Sequence, residues 1–292
     1  MSAPTDRPLL LAVLGHPVAH SLSPVMHEAA LAAVGWSGRY IACDVAPPDL
    51  EAALGALRVL GFVGCNVTVP LKEAAARLAT ERSAEVARTG SANTLVLDAA
   101  GGVRADTTDG RGLLGALREE AGFETLGRRV VVLGAGGAAR GIVGALCAAG
   151  AREVTVANRT LERARSLAAA FGDVVRAAPL ESEALGPALA AADLLVQATT
   201  VGMGTDALSL PESALAALPR SAIVCDIVYA PPETALMRRA RRDGRVVVGG
   251  LGMLAWQAAL AWEVWFGRTG PVAVLRQAAE GALARRAAGG MR

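Results

Sequence analysis

Lysine is almost absent from this chain. Of its 29 basic residues, 28 are arginine and only Lys72 is lysine, and asparagine occurs only at Asn66, Asn93 and Asn158. The excess of alanine, glycine and arginine indicates a sequence biased toward a few residue types. A rare residue that persists in such a chain is a better candidate for a chemical role than the same residue in a balanced composition.

Closely spaced cysteines and an excess of charge are also missing. The net charge is +2, which gives no electrostatic reason to expect nucleic acid or an anionic membrane as a partner. No CxxC motif occurs, so a zinc knuckle or a disulfide-stapled fold is not expected for the four cysteines, Cys43, Cys65, Cys147 and Cys225. Charge and cysteine usage therefore favour a cytoplasmic protein that binds no metal.

Long uninterrupted apolar runs, which a signal peptide or a membrane span would need, are also missing. The apolar stretch at residues 8–15 is followed by His16-Pro17 and lacks a signal-peptide cleavage pattern. The stretch at residues 130–151 contains Arg140 and several glycines, which fits a strand, a loop and a helix better than a membrane span. Both stretches are therefore predicted to be buried parts of a folded domain.

Apolar runs of strand length alternate with helical patterns in both halves of the chain. Strands are predicted at Leu9–Leu14 and Phe62–Val67, and the pattern restarts at Val130–Leu133. Alternating strands and helices predict parallel sheets covered by helices, and two such series predict two α/β domains. An exception is the hairpin predicted for Thr94–Leu97 and Val103–Ala105.

A glycine-rich turn follows the strand Val130–Leu133 and opens a helix. This is the dinucleotide fingerprint G-x-G-x-x-G/A in its required setting, with Gly134, Ala135, Gly136, Gly137 and Ala138 in the turn. The alternative is a tight turn without a ligand. The next strand ends in Asn158-Arg159-Thr160, with Arg163 one helical turn later, and no acid that would bind a ribose 2′-hydroxyl. Two guanidiniums suit a 2′-phosphate, so NADP is favoured over NAD, although a solvated arginine pair remains an alternative.

Lys72 lies where a cation is unfavourable. In the segment GCNVTVPLK, Pro70 predicts a helix start and places Lys72 in the first turn, near the positive end of the helix dipole. A titratable amine there is a candidate proton donor and acceptor, and the alternative is an exposed surface lysine. Asp109, in the segment TTDG, is either a helix N-cap or the partner of this amine.

The loop after the first strand contains two hydroxyls two residues apart, Ser21 and Ser23. Such a loop can hydrogen-bond a polyol or a carboxylate. Ser23 is alternatively a helix N-cap.

Eight motifs, in order along nearly the whole chain, together resemble the shikimate dehydrogenase family. They are GHPVAHSLSP, GCNVTVPLK, ANT, TTDG, GAGGAA, NRT, DIVYAPPET and GGLGMLAWQ. The resemblance implies NADPH-dependent, reversible reduction of 3-dehydroshikimate to shikimate, a step of aromatic amino acid (chorismate) biosynthesis. It also implies a substrate-binding catalytic domain at residues 1–110 plus 250–292, a Rossmann-type NADP-binding domain at residues 111–249, and a cleft between them.

The resemblance assigns roles by position in this sequence. Lys72 and Asp109 match the catalytic pair. The substrate-binding positions are Ser21, Ser23, Thr68, Asn93, Thr108, Tyr229 and Gln257. The NADP-binding positions are Gly134, Ala135, Gly136, Gly137, Ala138, Asn158, Arg159, Thr160 and Arg163, with Ile227 and Gly250 near the nicotinamide.

Two positions depart from the family pattern, which usually has asparagine where Thr107 and Gln197 stand. Thr107 precedes the predicted substrate residues, so we expect it to bear on substrate preference, and Gln197 is expected to affect a turn near the cofactor. Quinate and aminoshikimate dehydrogenases share these motifs and remain alternatives. So do a non-catalytic NADP-binding regulator, a folate dehydrogenase of similar architecture and a hydrolase with Cys65 as nucleophile.

Overall fold

The apolar runs form strands close to their predicted positions. The structure is a computed structural model that describes residues 7–98, 100–180 and 185–289. Its strands are β1 (Leu9–Gly15), β2 (Gly38–Asp44), β3 (Gly64–Val67), β4 (Glu81–Arg82), β5 (Thr94–Leu97), β6 (Val103–Asp106), β7 (Arg129–Leu133), β8 (Glu153–Asn158), β9 (Val175–Pro179), β10 (Leu194–Gln197), β11 (Ile223–Asp226) and β12 (Val247–Gly249).

Helices fill most of the connections between these strands. They are α1 (Ser23–Ala33), α2 (Leu50–Val59), α3 (Lys72–Leu78), α4 (Ala84–Thr89), α5 (Asp109–Ala121), α6 (Gly137–Ala148), α7 (Leu161–Ala168), α8 (Leu185–Ala190), α9 (Glu212–Ala217), α10 (Ala235–Arg242), α11 (Gly250–Phe266) and α12 (Val272–Gly289). Among the described residues, none of the helices combines the length and apolar character needed to cross a membrane.

The chain divides into two compact units. One combines the described parts of Met1–Gly112 and Ala255–Arg292, and the other is Leu113–Leu254, so the chain passes from one to the other within α5 and within α11. The C-terminal helices therefore complete the N-terminal unit.

The sheet of the first unit is mixed. Its strand order is β2-β1-β3-β5-β6-β4, and β1, β2 and β3 are parallel. β5 runs antiparallel to both β3 and β6, because β5 and β6 form the predicted hairpin. The parallel arrangement predicted from strand–helix alternation thus holds on one side of this sheet and is interrupted by the hairpin on the other.

Apolar residues of both helices and strands form the core of the first unit. Leu50, Leu54 and Leu57 share one face of α2 at helical spacing and join the same buried cluster as Leu14 and Leu95 of the sheet. Burial of such leucines contributes about 1.5–3 kcal/mol each.

Aromatic side chains attach α11 to the first unit. The indole of Trp262 stacks on Trp36 with 5.5 Å between ring centroids, and its Nε1 donates to His27 Nδ1 at 3.1 Å. Burial lowers the pKa of His27 to about 3, so this histidine is neutral. His27 itself is fully buried in the first unit.

The second unit has the doubly wound order of dinucleotide-binding folds. Its strands are ordered β12-β11-β10-β7-β8-β9 and every pairing is parallel in the described part of the sheet. Counted from β7 as strand 1, this order is 6-5-4-1-2-3, the Rossmann order read from the opposite edge. The order reverses between β7 and β10, where such sheets bind ligands.

Candidate active site

The first sheet gathers predicted substrate residues at one edge. The carboxyl ends of β1, β3 and β6 lie there, and β5 begins there because it is antiparallel. The chain leaves β1 for β2 and then crosses to β3 on the other side, which makes this edge a switch point between β1 and β3. Thr68, Asn93, Thr108 and Asp109 lie within three residues of these strand ends, and Ser21 and Ser23 follow β1 in the segment that leads into α1.

Lys72 and Asp109 form a buried ion pair at this edge. Lys72 Nζ donates to Asp109 Oδ2 at 2.5 Å, and the two side chains are 10% and 5% exposed. Because Lys72 is buried, its interpretation as an exposed surface lysine is wrong. Asp109 begins α5, but both its oxygens accept from side chains, which favours the paired role over a simple N-cap.

The predicted helix start at Pro70 is two residues too early. The N–H of Leu71 donates to Thr68 O at 2.8 Å, so residues 68–71 form a turn and Lys72 is the first residue of α3. Its ammonium therefore lies at the positive end of the helix dipole and away from water, and the Asp109 carboxylate offsets both unfavourable terms.

Asn93 connects the ion pair to the other predicted substrate residues. Its Nδ2 donates to Asp109 Oδ1 at 2.9 Å and to Thr108 Oγ1 at 3.0 Å, and lies 3.3 Å from Gln257 Oε1. Its Oδ1 accepts from the Thr108 N–H at 2.8 Å. One buried amide thus fixes the orientation of the carboxylate that holds Lys72.

Tyr40 and Asn66, absent from the predicted site, extend this network. Tyr40 donates its hydroxyl to Asn66 Oδ1 at 2.7 Å, and Asn66 Nδ2 donates to Asn93 O at 3.1 Å. The Ser23 side chain hydrogen-bonds the Tyr40 hydroxyl, whose pKa burial raises. A chain of hydrogen bonds therefore runs from Ser23 to Asn93. The scarcity of asparagine was the sequence signal that pointed to Asn66.

The two predicted substrate serines have different local roles. Ser23 is the first residue of α1 rather than its N-cap, which is Leu22. The Ser23 N–H donates to Ser21 Oγ at 3.2 Å, so Ser21 supplies the side-chain acceptor at this helix start. Thr68 is half-buried in the turn after β3, and its N–H donates to Leu14 O at 2.8 Å.

Further charged groups surround the segment that leads into Asp109. Asp106 Oδ1 accepts from the Thr107 N–H at 2.7 Å, and its Oδ2 accepts from Arg111 at 3.1 Å. Burial raises the pKa of Glu85 to about 7; Asp106 and Asp109 add to this rise and Arg111 opposes it. Among the described residues, Glu85 Oε1 and the fully buried Thr107 Oγ1 lack hydrogen-bond partners.

The glycine turn of the second unit has the geometry of a phosphate-binding loop. Gly134 has φ = +111°, and a Cβ there would lie 2.9 Å from Ala198 O, so both conformation and space require glycine. Gly136 is the N-cap of α6 in extended conformation, and a Cβ there would meet nothing within 4 Å. The absence of a side chain at Gly136 lets a dinucleotide pyrophosphate approach the start of α6, where backbone N–H groups can bind it. Gly137 and Ala138 form the first turn of this helix, and Ala135 is buried beneath it.

The residues after β8 are arranged as an exposed basic loop. Asn158 ends β8, and its Nδ2 donates to Thr160 O at 2.8 Å, which fixes the turn. Arg159 and Arg163 are exposed, and Thr160 is the N-cap residue of α7. This arrangement fits a charged phosphate on the ribose.

Ile227, Tyr229 and Gly250 lie at the ends of β11 and β12. Ile227 N–H donates to Gln197 O at 3.1 Å, and Tyr229 is half-buried two residues later. The side chain of Gln197 organises the next turn, since its Nε2 donates to Thr199 Oγ1 and Val201 O, each at 2.9 Å. The predicted effect of Gln197 on a turn therefore has a direct structural basis.

Cys65 does not have the properties of a nucleophile. The residue is fully buried, and burial raises the pKa of its thiol. A reactive cysteine needs access and a stabilised thiolate, so the hydrolase alternative loses its chemical basis.

Comparison with known proteins assigns the chain to a family. Three family models match it in order: Shikimate dehydrogenase substrate binding domain over residues 13–95, Shikimate / quinate 5-dehydrogenase over residues 118–228, and Shikimate 5'-dehydrogenase C-terminal domain over residues 250–280. The shikimate dehydrogenase (NADP(+)) of Symbiobacterium thermophilum is 46% identical over 282 residues, which are 94% of this chain and 94% of that protein.

Solved structures that resemble this chain belong to the same family as its sequence relatives. The shikimate 5-dehydrogenase of Thermus thermophilus, in complex with NADP(H) and shikimate, matches with a TM-score of 0.84 at 42% identity, over 94% of this chain and 100% of that chain. The quinate dehydrogenase of Corynebacterium glutamicum, in complex with NAD, matches with a TM-score of 0.83 at 30% identity, over 93% and 98%. The resemblance read from the eight motifs is confirmed: the chain belongs to the shikimate dehydrogenase family.

Proposed function

We propose that this chain is an NADP-dependent oxidoreductase that reversibly reduces 3-dehydroshikimate to shikimate in aromatic amino acid biosynthesis. The observation that carries this proposal is the buried Lys72–Asp109 pair, joined through Asn93 to Thr108 and Gln257. A positioned amine–carboxylate pair amid neutral hydrogen-bonding side chains suits proton transfer to a ketone oxygen of a polyhydroxylated ring.

Lys72 is the proposed proton carrier. Negative charge develops on the carbonyl oxygen during reduction, and the Lys72 ammonium stabilises that charge and donates a proton to the oxygen. In the reverse direction the neutral amine accepts the alcohol proton. Asp109 keeps Nζ in place, and the Asn93 amide keeps the carboxylate in place.

The substrate is proposed to be held by hydroxyl and amide side chains, which suit hydroxyl and carboxylate groups. The residues proposed for this role are Ser21, Ser23, Thr68, Asn93, Thr108, Tyr229 and Gln257.

NADP is proposed to bind the second unit, in agreement with the similarity of the chain to the shikimate dehydrogenase (NADP(+)) of Symbiobacterium thermophilum. The turn from Gly134 to Ala138 would hold the pyrophosphate, and Asn158, Arg159, Thr160 and Arg163 the ribose phosphate. Ile227 and Gly250 would border the nicotinamide. When bound as NADPH, this cofactor supplies the hydride. We assign residues 1–110 plus 250–292 to substrate binding and catalysis and residues 111–249 to NADP binding.

The proposal is tested by measuring NADP+ reduction with shikimate, quinate and aminoshikimate. We expect the highest kcat/KM with shikimate. A higher value with quinate or aminoshikimate would assign the chain to a neighbouring activity, an alternative that the similar TM-score of the quinate dehydrogenase keeps relevant. NADP binding without reduction on any of the three would favour a non-catalytic regulator.

We also propose a cytoplasmic location and a monomeric or homodimeric state. Four widely spaced cysteines without a disulfide among them support the location. Sedimentation at several protein concentrations tests the oligomeric state, and an assembly larger than a dimer would contradict it.

A further inference from the structure

The loop between β11 and α10 carries two residues that the proposed function uses. It runs from Asp226, the last residue of β11, to Thr234, which precedes α10. Ile227 and Tyr229 lie within it. The Ile227 main chain must keep its place if a nicotinamide is to lie beside it in a fixed orientation.

One carboxylate ties the two ends of this loop together. Thr234 Oγ1 donates to Asp226 Oδ2 at 2.7 Å, and Asp226 Oδ1 accepts from the Val228 N–H at 3.0 Å. Thr234 Oγ1 also accepts from the Met237 N–H at 3.3 Å, which caps α10. Both Asp226 and Thr234 are 1% exposed. A strand end, the loop and a helix start therefore depend on one buried contact.

The same loop is held on its other sides by close backbone packing. The Ile227 N–H donates to Gln197 O at 3.1 Å, and a Cβ on Gly250 would lie 2.3 Å from Ile227 O. On the far end, a Cβ on Gly202 would lie 3.3 Å from Thr234 Cγ2. Close backbone contacts therefore limit displacement of Ile227 toward β10 and α11, and the Asp226–Thr234 bond holds the end of the loop that leads into α10.

We propose that Asp226 and Thr234 are positioning residues, which touch neither substrate nor cofactor but hold the Ile227–Tyr229 main chain in the conformation needed for reaction. This inference rests on the proposed function. Burial raises the pKa of Asp226 to about 6, a sign that the site disfavours the charge. A carboxylate there is useful because it accepts two hydrogen bonds at once, from the loop and from the helix cap.

The test compares two substitutions of Thr234. Thr234→Ser keeps the hydroxyl that donates to Asp226 and caps α10, whereas Thr234→Val keeps the shape and removes both bonds. We expect Thr234→Val to lower kcat about 10-fold or to raise the KM for NADP+ about as much, because small displacements of positioning groups have large kinetic effects. We expect Thr234→Ser to stay within about 2-fold of the wild type, since its hydrogen bonds remain.

Asp226→Asn is compared with Asp193→Asn, a control that separates an effect on stability from an effect on positioning. Asp193 Oδ2 accepts from the Arg129 N–H at 2.8 Å, at the start of β7 in the same unit, so its replacement also removes a charged acceptor of a backbone N–H. We expect both variants to lower Tm, and only Asp226→Asn to change kcat or the KM for NADP+. All kinetics are measured at a temperature well below the lowest Tm.

NADPH binding, followed by its fluorescence, gives a readout that needs no substrate. We expect Thr234→Val and Asp226→Asn to weaken it several-fold, and Thr234→Ser and Asp193→Asn to leave it near the wild-type value. If Thr234→Val and Asp226→Asn lower only the Tm and leave kinetics and NADPH binding unchanged, the positioning role is wrong. Inactive wild type would refute the proposed reaction instead, and the binding comparison would still decide the role of this contact.

Discussion

Lys72 Nζ and Asp109 Oδ2 are 2.5 Å apart although 37 residues separate the two in the chain. Each begins a helix, and the two helices follow the carboxyl ends of β3 and β6. Removal of one member of a buried ion pair leaves an uncompensated charge, so we expect the pair to act as a unit both in folding and in the proposed proton transfer.

Replacement of Lys72 by arginine separates charge from proton transfer. Arginine keeps the positive charge but does not release its proton at working pH. We expect Lys72→Arg to lower kcat by ~10²-fold or more while NADP binding persists. The exposed Arg77 of the same helix provides the control Arg77→Lys, which should leave kcat unchanged. Near-normal turnover of Lys72→Arg would show that Lys72 contributes only its positive charge and does not transfer the proton.

Arg159 is predicted to select NADP over NAD. We expect Arg159→Ala to raise the KM for NADP+ ~10-fold and leave that for NAD+ almost unchanged, because a charged hydrogen bond to the 2′-phosphate is worth about 1.5–3 kcal/mol. Arg165→Ala is the matched control, since Arg165 is exposed on α7 and pairs with Glu162 at 2.5 Å. Equal kcat/KM of the wild type with both cofactors would contradict the role.

Ser21 is predicted to bind substrate as well as to accept the Ser23 N–H. We expect Ser21→Ala to weaken shikimate binding by about 1–3 kcal/mol with little change in NADP binding. Ser83→Ala removes a comparable contact, since Ser83 Oγ accepts from the Val86 N–H at 3.3 Å at the start of α4. The control should lower stability but leave shikimate binding intact. Titration calorimetry measures the binding of shikimate and of NADP to each variant. Equal losses of shikimate affinity in Ser21→Ala and Ser83→Ala would show that Ser21 does not bind the substrate.

Glu85 is predicted to make stability depend on pH. Its pKa is about 7 in the folded protein against an ordinary value of 4.5, so the folded state binds the proton more tightly than the unfolded state. The free energy of unfolding should therefore fall as pH rises from about 4.5 to 7 and stay low above that window.

Glu85→Gln tests this dependence because glutamine mimics the protonated carboxyl. We expect the variant to be more stable than the wild type by about 1–2 kcal/mol at pH 8, a value reduced for partial exposure of the side chain, and equal to it near pH 4. Guanidinium unfolding at both pH values measures this, with the exposed Glu51→Gln as control. The same difference at both pH values would disprove the titration of Glu85.

Local patterns predicted much of the structure because they depend on near neighbours. The fingerprint around Gly134 requires a left-handed glycine between a strand and a helix, and the structure has one there. The sequence patterns do not predict β9 and α10, because elements of five and eight residues span too few periods to stand out from their surroundings. Pro70 indicated a helix start, yet the Leu71–Thr68 turn delays the helix by two residues.

Sequence patterns alone were sufficient to predict the two α/β series, the dinucleotide turn, the basic loop after β8 and the family. Each of these depends on residue types at fixed short spacings, and such spacings can be recognised without knowledge of distant contacts. The three-dimensional fold was needed to show that Lys72 is buried against Asp109, that Asn93 links Asp109 to Gln257, and that Thr234 donates to Asp226. These contacts join residues from different strand and helix ends, and the order of strands in a sheet, which brings such ends together, is set by packing of the whole unit rather than by spacing along the chain.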